Sequence, residues 1–177
     1  MHLKVMSKEV LYADETIPKI GIEEINLLKN QVEETTHKRI RVCMHKTLED
    51  PIHEMFIVMK KGTYVRPQKH LNKTESFHLV EGRADLVLLD DDQRISEVIQ
   101  IGNAPDLRFY YRLALPLYHT LILRSDFLVF HEAAQGPFRK TDTVCAPWAP
   151  DESDMEAGKK FLDELEIKAE EFLKRRT

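Results

Sequence analysis

Residues 62–82 read GTYVRPQKHLNKTESFHLVEG, and the alternation inside this stretch decides the fold. Tyr64, Arg66, Gln68 and His70 are spaced by two, which places them on one face of a β-strand. Leu71 to Thr74 is turn-like. Glu75 then opens a second strand, whose antiparallel return would bring its carboxylate back across from His70. A carboxamide oxygen, an imidazole and a carboxylate converging on one point suit zinc, iron, manganese, nickel or cobalt better than a thiolate-seeking metal. Gly62 and Gly82 sit where such a two-strand unit must bend.

The period of two continues on both sides. Ile40, Val42 and Met44 alternate with Arg41, Cys43 and His45. Glu54 to Lys60, Ala84 to Leu89, Ile95 to Ile101, Leu107 to Leu115, Tyr118 to Arg124 and Phe127 to Glu132 all read as strands, separated by Asp, Gly and Pro signals. About eight to ten short strands, with no helical period between Arg39 and Glu132, predict a mainly β closed barrel or sandwich and argue against a doubly wound α/β fold. Helical spacing is confined to the flanks. Ile22, Ile25, Leu28 and Val32 predict a helix over about 22–35. Met155, Leu162, Leu165, Ala169 and Phe172 predict a C-terminal helix, capped by Asp151 or Ser153 and ending in Lys174-Arg175-Arg176, which suits the negative end of a helix dipole. Residues 1–20 carry little pattern and read as an edge strand or an arm, and residues 141–150 read as irregular. The expected organisation is one domain: an arm and helix over 1–38, a barrel over 39–150, and a helix over 151–177 packed on it.

The chain has 177 residues, 42% hydrophobic and 32% charged, with a net charge of -4. That supplies one sizeable core and lacks the basic footprint of a nucleic-acid or anionic-membrane binder. No apolar run approaches the roughly 18 residues of a spanning helix. No signal-peptide core is visible, so the reading is a cytoplasmic protein with Cys43 and Cys145 free.

His119 shares its face with Leu121 and Leu123, a face suited to a barrel interior. An isolated polar group there needs a partner, and a metal shared with Gln68, His70 and Glu75 would be one. Tyr64 and Arg66 share parity with Gln68 and His70; Arg41 and His45 share a polar face of their own strand; Arg112, with Tyr110, is comparable. Arginines inside a barrel favour an anionic substrate, so Arg41, Arg66 and Arg112 are the expected substrate-binding residues, and Tyr64 and His45 the expected proton carriers. His78 has the wrong parity relative to Glu75. Of the adjacent His131 and Glu132, at most one can face inward.

The spacing G-x5-Q-x-H-x4-E-x6-G resembles the first cupin motif, G-x5-H-x-H-x3–4-E-x6-G, at every position but one: Gln68 stands where the motif has histidine. Leu115-Pro116-Leu117-Tyr118-His119 sits where the second cupin motif places its histidine, without that motif's glycine. RIRVCMH (39–45), EMFIVMKKGTYVRP (54–67), HLNKTESFHLVEG (70–82), YYRL (110–113), HTLI (119–122), HEAAQGPF (131–138) and APWAPDE (146–152) resemble more particularly the WbuC-type cupin fold metalloproteins. The resemblance implies a cupin-type antiparallel β-barrel (a jelly roll, or double-stranded β-helix), a homodimer, and one divalent metal ion, zinc favoured. It also implies a setting in surface-polysaccharide synthesis. Phosphomannose isomerases, also cupins, hold zinc with Gln, His, Glu and His, which keeps Gln68 in the ligand set. The expected function is a metal-dependent protein acting on a small polar substrate, anionic or a sugar or sugar-nucleotide derivative, by isomerase- or epimerase-like chemistry. An Fe-dependent dioxygenase and a non-enzymatic sugar-binding or regulatory module are the alternatives.

Overall fold

In the computed structural model, which describes residues 1–175, the chain forms twelve strands and two α-helices. In chain order these are β1 (Leu3–Val5), β2 (Val10–Ala13), α1 (Ile22–Gln31), β3 (Arg39–Cys43), β4 (Ile52–Lys60), β5 (Gln68–His70), β6 (Glu75–Glu81), β7 (Ala84–Leu89), β8 (Ile95–Ile101), β9 (Tyr110–Leu113), β10 (Tyr118–Leu123), β11 (Phe127–Gln135), β12 (Thr143–Cys145) and α2 (Met155–Lys174). A 3-10 turn, Val32–Glu34, extends α1, and a second, Lys140–Asp142, precedes β12.

The strands pair in a nested way: β4 with β11, β5 with β10, β6 with β9 and β7 with β8, all antiparallel. A ribbon folded back on itself and wound into two facing sheets gives that order. The sheets run β1-β2-β3-β4-β11-β6-β9 and β12-β5-β10-β7-β8. This is jelly-roll topology, with the first sheet widened by β1 and β2 and the second by β12.

Between the sheets lies one apolar cluster that includes Met55, Ile57, Phe77, Leu86, Leu121 and Phe130. It stands on the alternation of β4, β6, β10 and β11, since one parity of each strand turns inward. β7 and β10 are buried on both faces: all six residues of each, ADLVLL and YHTLIL, are buried. Their second face is covered by α2, whose Leu162, Leu165 and Ala169 pack with Val87, Leu89 and Ile122. A strand buried on both faces reads as a continuous apolar run rather than an alternation. On the other sheet, α1 lays Ile25 and Leu28 over Ile40, Val42, Val58 and Val129. Among the described residues, no helix is long and apolar enough to cross a membrane.

The structure departs from the sequence reading at several ends. Residues 3–13 form a hairpin, and β2 joins β3 in parallel through the α1 crossover. Residues 143–145, expected to be irregular, add an edge strand to β5. Helix α2 is capped by Asp154, whose carboxylate accepts the Ala157 N–H at 3.0 Å. Asp151 and Ser153 instead hydrogen-bond to each other, and Asp151 also holds Arg66. Arg175 closes α2; Arg176 lies outside the described residues.

Gly82 makes the bend between β6 and β7 with φ 99°. A Cβ there would stand 2.2 Å from the Phe127 carbonyl oxygen, which is backbone and cannot swing aside. Gly82→Ala is expected to lower unfolding stability by roughly 2 kcal/mol or more, as a left-handed conformation and a backbone clash add. Urea denaturation measures it, and a change below about 0.5 kcal/mol would contradict this account of the bend.

Candidate metal centre

Strand β5 is only three residues long, yet it carries Gln68 and His70 on one face. Its partner β10 sets His119 directly opposite Gln68. On its other side, β12 sets Thr143 opposite His70 and Cys145 opposite Gln68. Glu75 arrives from the facing sheet, as the first residue of β6 after the turn at 71–74. Two sheets thus contribute to one point.

The Glu75 carboxylate bridges the two imidazoles. Its Oε2 lies 3.0 Å from His70 Nε2 and its Oε1 lies 3.1 Å from His119 Nε2. All three residues are 7% exposed or less. The far nitrogen of each ring is also held. His70 Nδ1 meets Thr143 Oγ1 at 3.0 Å, and His119 Nδ1 meets the Leu117 carbonyl oxygen at 3.0 Å. A carbonyl only accepts, so Nδ1 of His119 carries a hydrogen and donates. Its Nε2 is therefore a lone pair in the neutral ring and an N–H in the cation. Burial alone would push the His119 pKa down, but the Glu75 carboxylate beside it lifts it above the ordinary imidazole value. Burial would likewise raise Glu75, and hydrogen bonds from His119 and His70 outweigh that and hold it well below the usual carboxylate range.

This donor set fits a divalent ion. Two Nε2 atoms and a carboxylate oxygen lie within 4.8 Å of one another. Both rings are oriented through Nδ1 by neighbouring groups, as metal-binding histidines are. Gln68, half-buried and opposite His119 in register, faces the same interior and can complete the set with its carboxamide oxygen.

The centre lies in the wall of a cavity of about 930 Å³ between the sheets. Of the other residues singled out in the sequence, His45, Arg41 and Arg66 also line it. His45 is buried, and desolvation pushes its pKa down. The Arg66 guanidinium is committed elsewhere: it binds Asp151 at 2.9 Å and the Ala146 carbonyl at 3.0 Å. Together with Arg39, which grips Glu152, it straps residues 146–152 onto the barrel.

Two expectations are corrected. Tyr64 is outside the cavity. Residues 63–67 are not a strand, so counting by twos from Gln68 does not apply to them. The Tyr64 ring lies on Gly158 and Phe161 of α2, and its hydroxyl donates to the Pro150 carbonyl at 3.0 Å. Arg112 is exposed on the outer face of β9, opposite Ser76, while Tyr111 and Leu113 turn inward. His78 and His131 are cross-strand neighbours in register on the outer face of their sheet.

Glu132 is the functional candidate that sequence reasoning left unassigned. It sits on the inward parity of β11 with Leu128 and Phe130 and lines the cavity. Burial and the nearby Glu75 charge push its carboxyl up to about 7. Tyr111, facing Phe77 across the pair, is raised well above the ordinary phenol by burial, with Glu75 and Glu132 adding to it. The signal for Glu132 was present in the sequence: a lone carboxylate on an apolar parity of a barrel strand.

A family described as a domain of unknown function (DUF6016) matches residues 21–101. No curated protein matches the chain. Similar solved structures include the protein SO0799 from Shewanella oneidensis, 8% identical over 58% of this chain and 66% of that one, with a TM-score of 0.48. The capsular polysaccharide assembling protein CapF from Staphylococcus aureus is 18% identical over 59% of this chain and 28% of that one, with a TM-score of 0.48. The cupin domain of Schizosaccharomyces pombe Cnp3 is 10% identical over 55% of this chain and 64% of that one, with a TM-score of 0.43. The matches cover less than two thirds of each of these solved chains. By its nested strand pairing, with a helix on each sheet, the chain is a mainly β jelly roll.

Proposed function

We propose that this is a metal-dependent cupin protein that acts on a small polar substrate, a sugar or sugar-nucleotide derivative, by moving a proton at carbon. The observation that carries the reading is the Glu75 carboxylate set between two imidazole Nε2 atoms whose Nδ1 atoms are tied back to Thr143 and Leu117. His70, Glu75 and His119, with Gln68, would hold a divalent ion, zinc favoured. When bound, such an ion polarises a carbonyl or adjacent hydroxyls as a Lewis acid.

The chain's own groups supply the rest. Glu132 faces the same cavity with a carboxyl poised near neutrality, which suits a group that accepts and returns a proton at working pH. Buried Tyr111 keeps its hydroxyl protonated and can donate a hydrogen bond to developing negative charge. The apolar interior walls, Met55, Ile57 and Phe130, limit water around the reacting atoms. Residues 39–152, which resemble the WbuC-type cupins, direct the proposal toward surface-polysaccharide synthesis.

The test is a panel of sugar phosphates and sugar nucleotides incubated with zinc-loaded protein in D2O and followed by NMR. Deuterium bound to carbon in at least one sugar is the expected result. Binding without any label across the panel would overturn the isomerase reading in favour of a metal-containing sugar-binding module.

A further inference from the structure

We propose that the cavity has a second binding end, built by Arg41, Tyr12 and His45, that takes an acidic group (phosphate or carboxylate) of the same substrate. This rests on the reading of the cavity as a substrate chamber, and it adds the substrate's charge and reach.

The placement follows from register. Arg41 and Cys43 stand opposite Ile57 and Met55 of β4, both of which face the interior. Strand β2, running parallel on the other side, sets Val10 beside Arg41 and Tyr12 beside Cys43. The N-terminal hairpin therefore adds a wall to the cavity that the eight-stranded jelly roll would lack. Beyond the end of β3, His45 stacks on His53 with ring centroids 4.1 Å apart and planes 11° apart, and Tyr12 meets His45 edge-on at 5.5 Å. Burial lowers the His45 pKa, which favours its neutral ring in that stack. His45 Nδ1 donates to the Glu54 carbonyl at 3.2 Å. Its Nε2 is then an acceptor for a ligand hydroxyl.

The positive charge at this end belongs to Arg41. The neighbouring guanidiniums are spent on carboxylates: Arg39 on Glu152 and Arg66 on Asp151. Glu9, which also lines the cavity, is closed on His37. Among the described residues, Arg41 has no ion-pair partner, although it lies within electrostatic reach of Tyr12, Cys43, His45 and Glu132. Lys73 and Lys140 are further cations in the cavity lining, which also holds the carboxylates Glu75 and Glu132. Arg41 is exposed on the open side of the chamber; a guanidinium there without a counter-ion, flanked by a phenol and a neutral imidazole, presents the fork that phosphate and carboxylate fit.

The reach follows from the same register. Ala134 stands opposite both His53 and Glu75, so Glu75, Ala134 and His53 form one row across β6, β11 and β4. Two strand spacings put the histidine pair roughly 10 Å from the metal centre, and Arg41 lies one strand further and four residues along, opposite Ile57 rather than His53. A bare anion cannot touch both ends. A sugar ring bearing a phosphate or carboxylate can, with its hydroxyls toward Glu75 and His119 and its acid toward Arg41.

Calorimetry with inorganic phosphate, on metal-stripped and zinc-loaded protein of residues 1–177 at fixed ionic strength, tests this end alone. Phosphate is expected to bind the metal-stripped wild type. Arg41→Gln should weaken it roughly tenfold or more, and Arg41→Lys should recover part of the loss. His119→Ala should bind phosphate as the wild type does, so a failure of the metal centre leaves this result untouched. Zinc uptake by Arg41→Gln at the wild-type stoichiometry reports that its barrel is folded. With zinc-loaded protein, glucuronate should bind more tightly than glucose, and Arg41→Gln should erase the difference. The assignment is overturned if Arg41→Gln binds phosphate within about twofold of wild type, or if phosphate binds only the zinc-loaded protein.

Discussion

His119→Ala and His70→Ala are each expected to lower zinc affinity by more than about a hundredfold, beyond the 10–100-fold typical of removing a group that merely orients a ligand. Each change removes one of the two imidazole donors, and the remaining ligands cannot recruit a replacement, because the ring positions are set by β5 and β10 rather than by a flexible loop. The measurement is metal content of protein purified without a metal-affinity tag, followed by zinc titration against a competing chelator. Full retention of metal by both variants would remove the centre proposed here. Circular dichroism must accompany it, since His119→Ala also leaves buried Glu75 with one hydrogen bond fewer. Gln68→His belongs in the same series and should bind zinc as tightly as wild type or more so. An imidazole there would point into the same interior, opposite His119, and is a stronger donor to zinc than a carboxamide oxygen. A marked loss would mean that the loop before β5 has adapted to glutamine.

How far this centre could be read from sequence depends on where the backbone is regular. Gln68 and His70 share a face because β5 is a strand, and His119 was found through Leu121 and Leu123 on the inward parity of β10. The same count extended back to Tyr64 crosses Pro67 into irregular chain, where alternation has no meaning. In β9, YYRL offers a tyrosine on either parity, so only the partner strand decides that Tyr111 is inside and Arg112 outside. Strands β1 and β12, three residues each, are too short to show a period, and their pairing comes from distant chain. β7 was recognisable as a strand, but its burial on both faces depends on α2, nearly eighty residues later. The cap of α2 moved to Asp154 because Asp151 serves Arg66, a tertiary demand that local preference does not encode. Glu132 was visible in parity but not in consequence: its raised carboxyl depends on burial between the sheets and on the charge of Glu75, whose register partner Ala134 is two residues along β11.

The pH dependence of stability should change sign when metal is removed. In the metal-free protein, the stabilising state of the centre is a carboxylate beside an imidazolium. His119 is raised above its ordinary 6.5. Its contribution is therefore complete below about pH 6.5 and is lost as pH climbs through the raised folded value. Glu75 is lowered from 4.5, so its contribution is present above about pH 4.5 and is lost as pH falls through the depressed folded value. Glu132, pushed up to about 7, adds a loss as pH rises from about 4.5 to 7, because ionisation is harder in the folded chain than in the unfolded one. Glu75 and His119 together place the most stable range of the stripped protein between about pH 4.5 and 6.5, and Glu132 tilts that range toward its acid end, with Tm falling above it. His70, Glu75 and His119 would hold a divalent ion in place of the proton on His119 Nε2, and its charge would then face Glu75 and Glu132. Zinc affinity then increases with pH through the raised His119 value, because proton and metal compete for one lone pair. The stabilisation that a fixed zinc excess provides grows with that affinity. The gap in Tm between zinc-loaded and stripped protein should therefore widen steadily from pH 5 to pH 8. Thermal melts across that range, with chelator or with zinc, measure it. Two parallel curves would show that zinc does not displace a proton at His119, and would place any metal the protein holds somewhere other than the pair of Nε2 atoms facing Glu75.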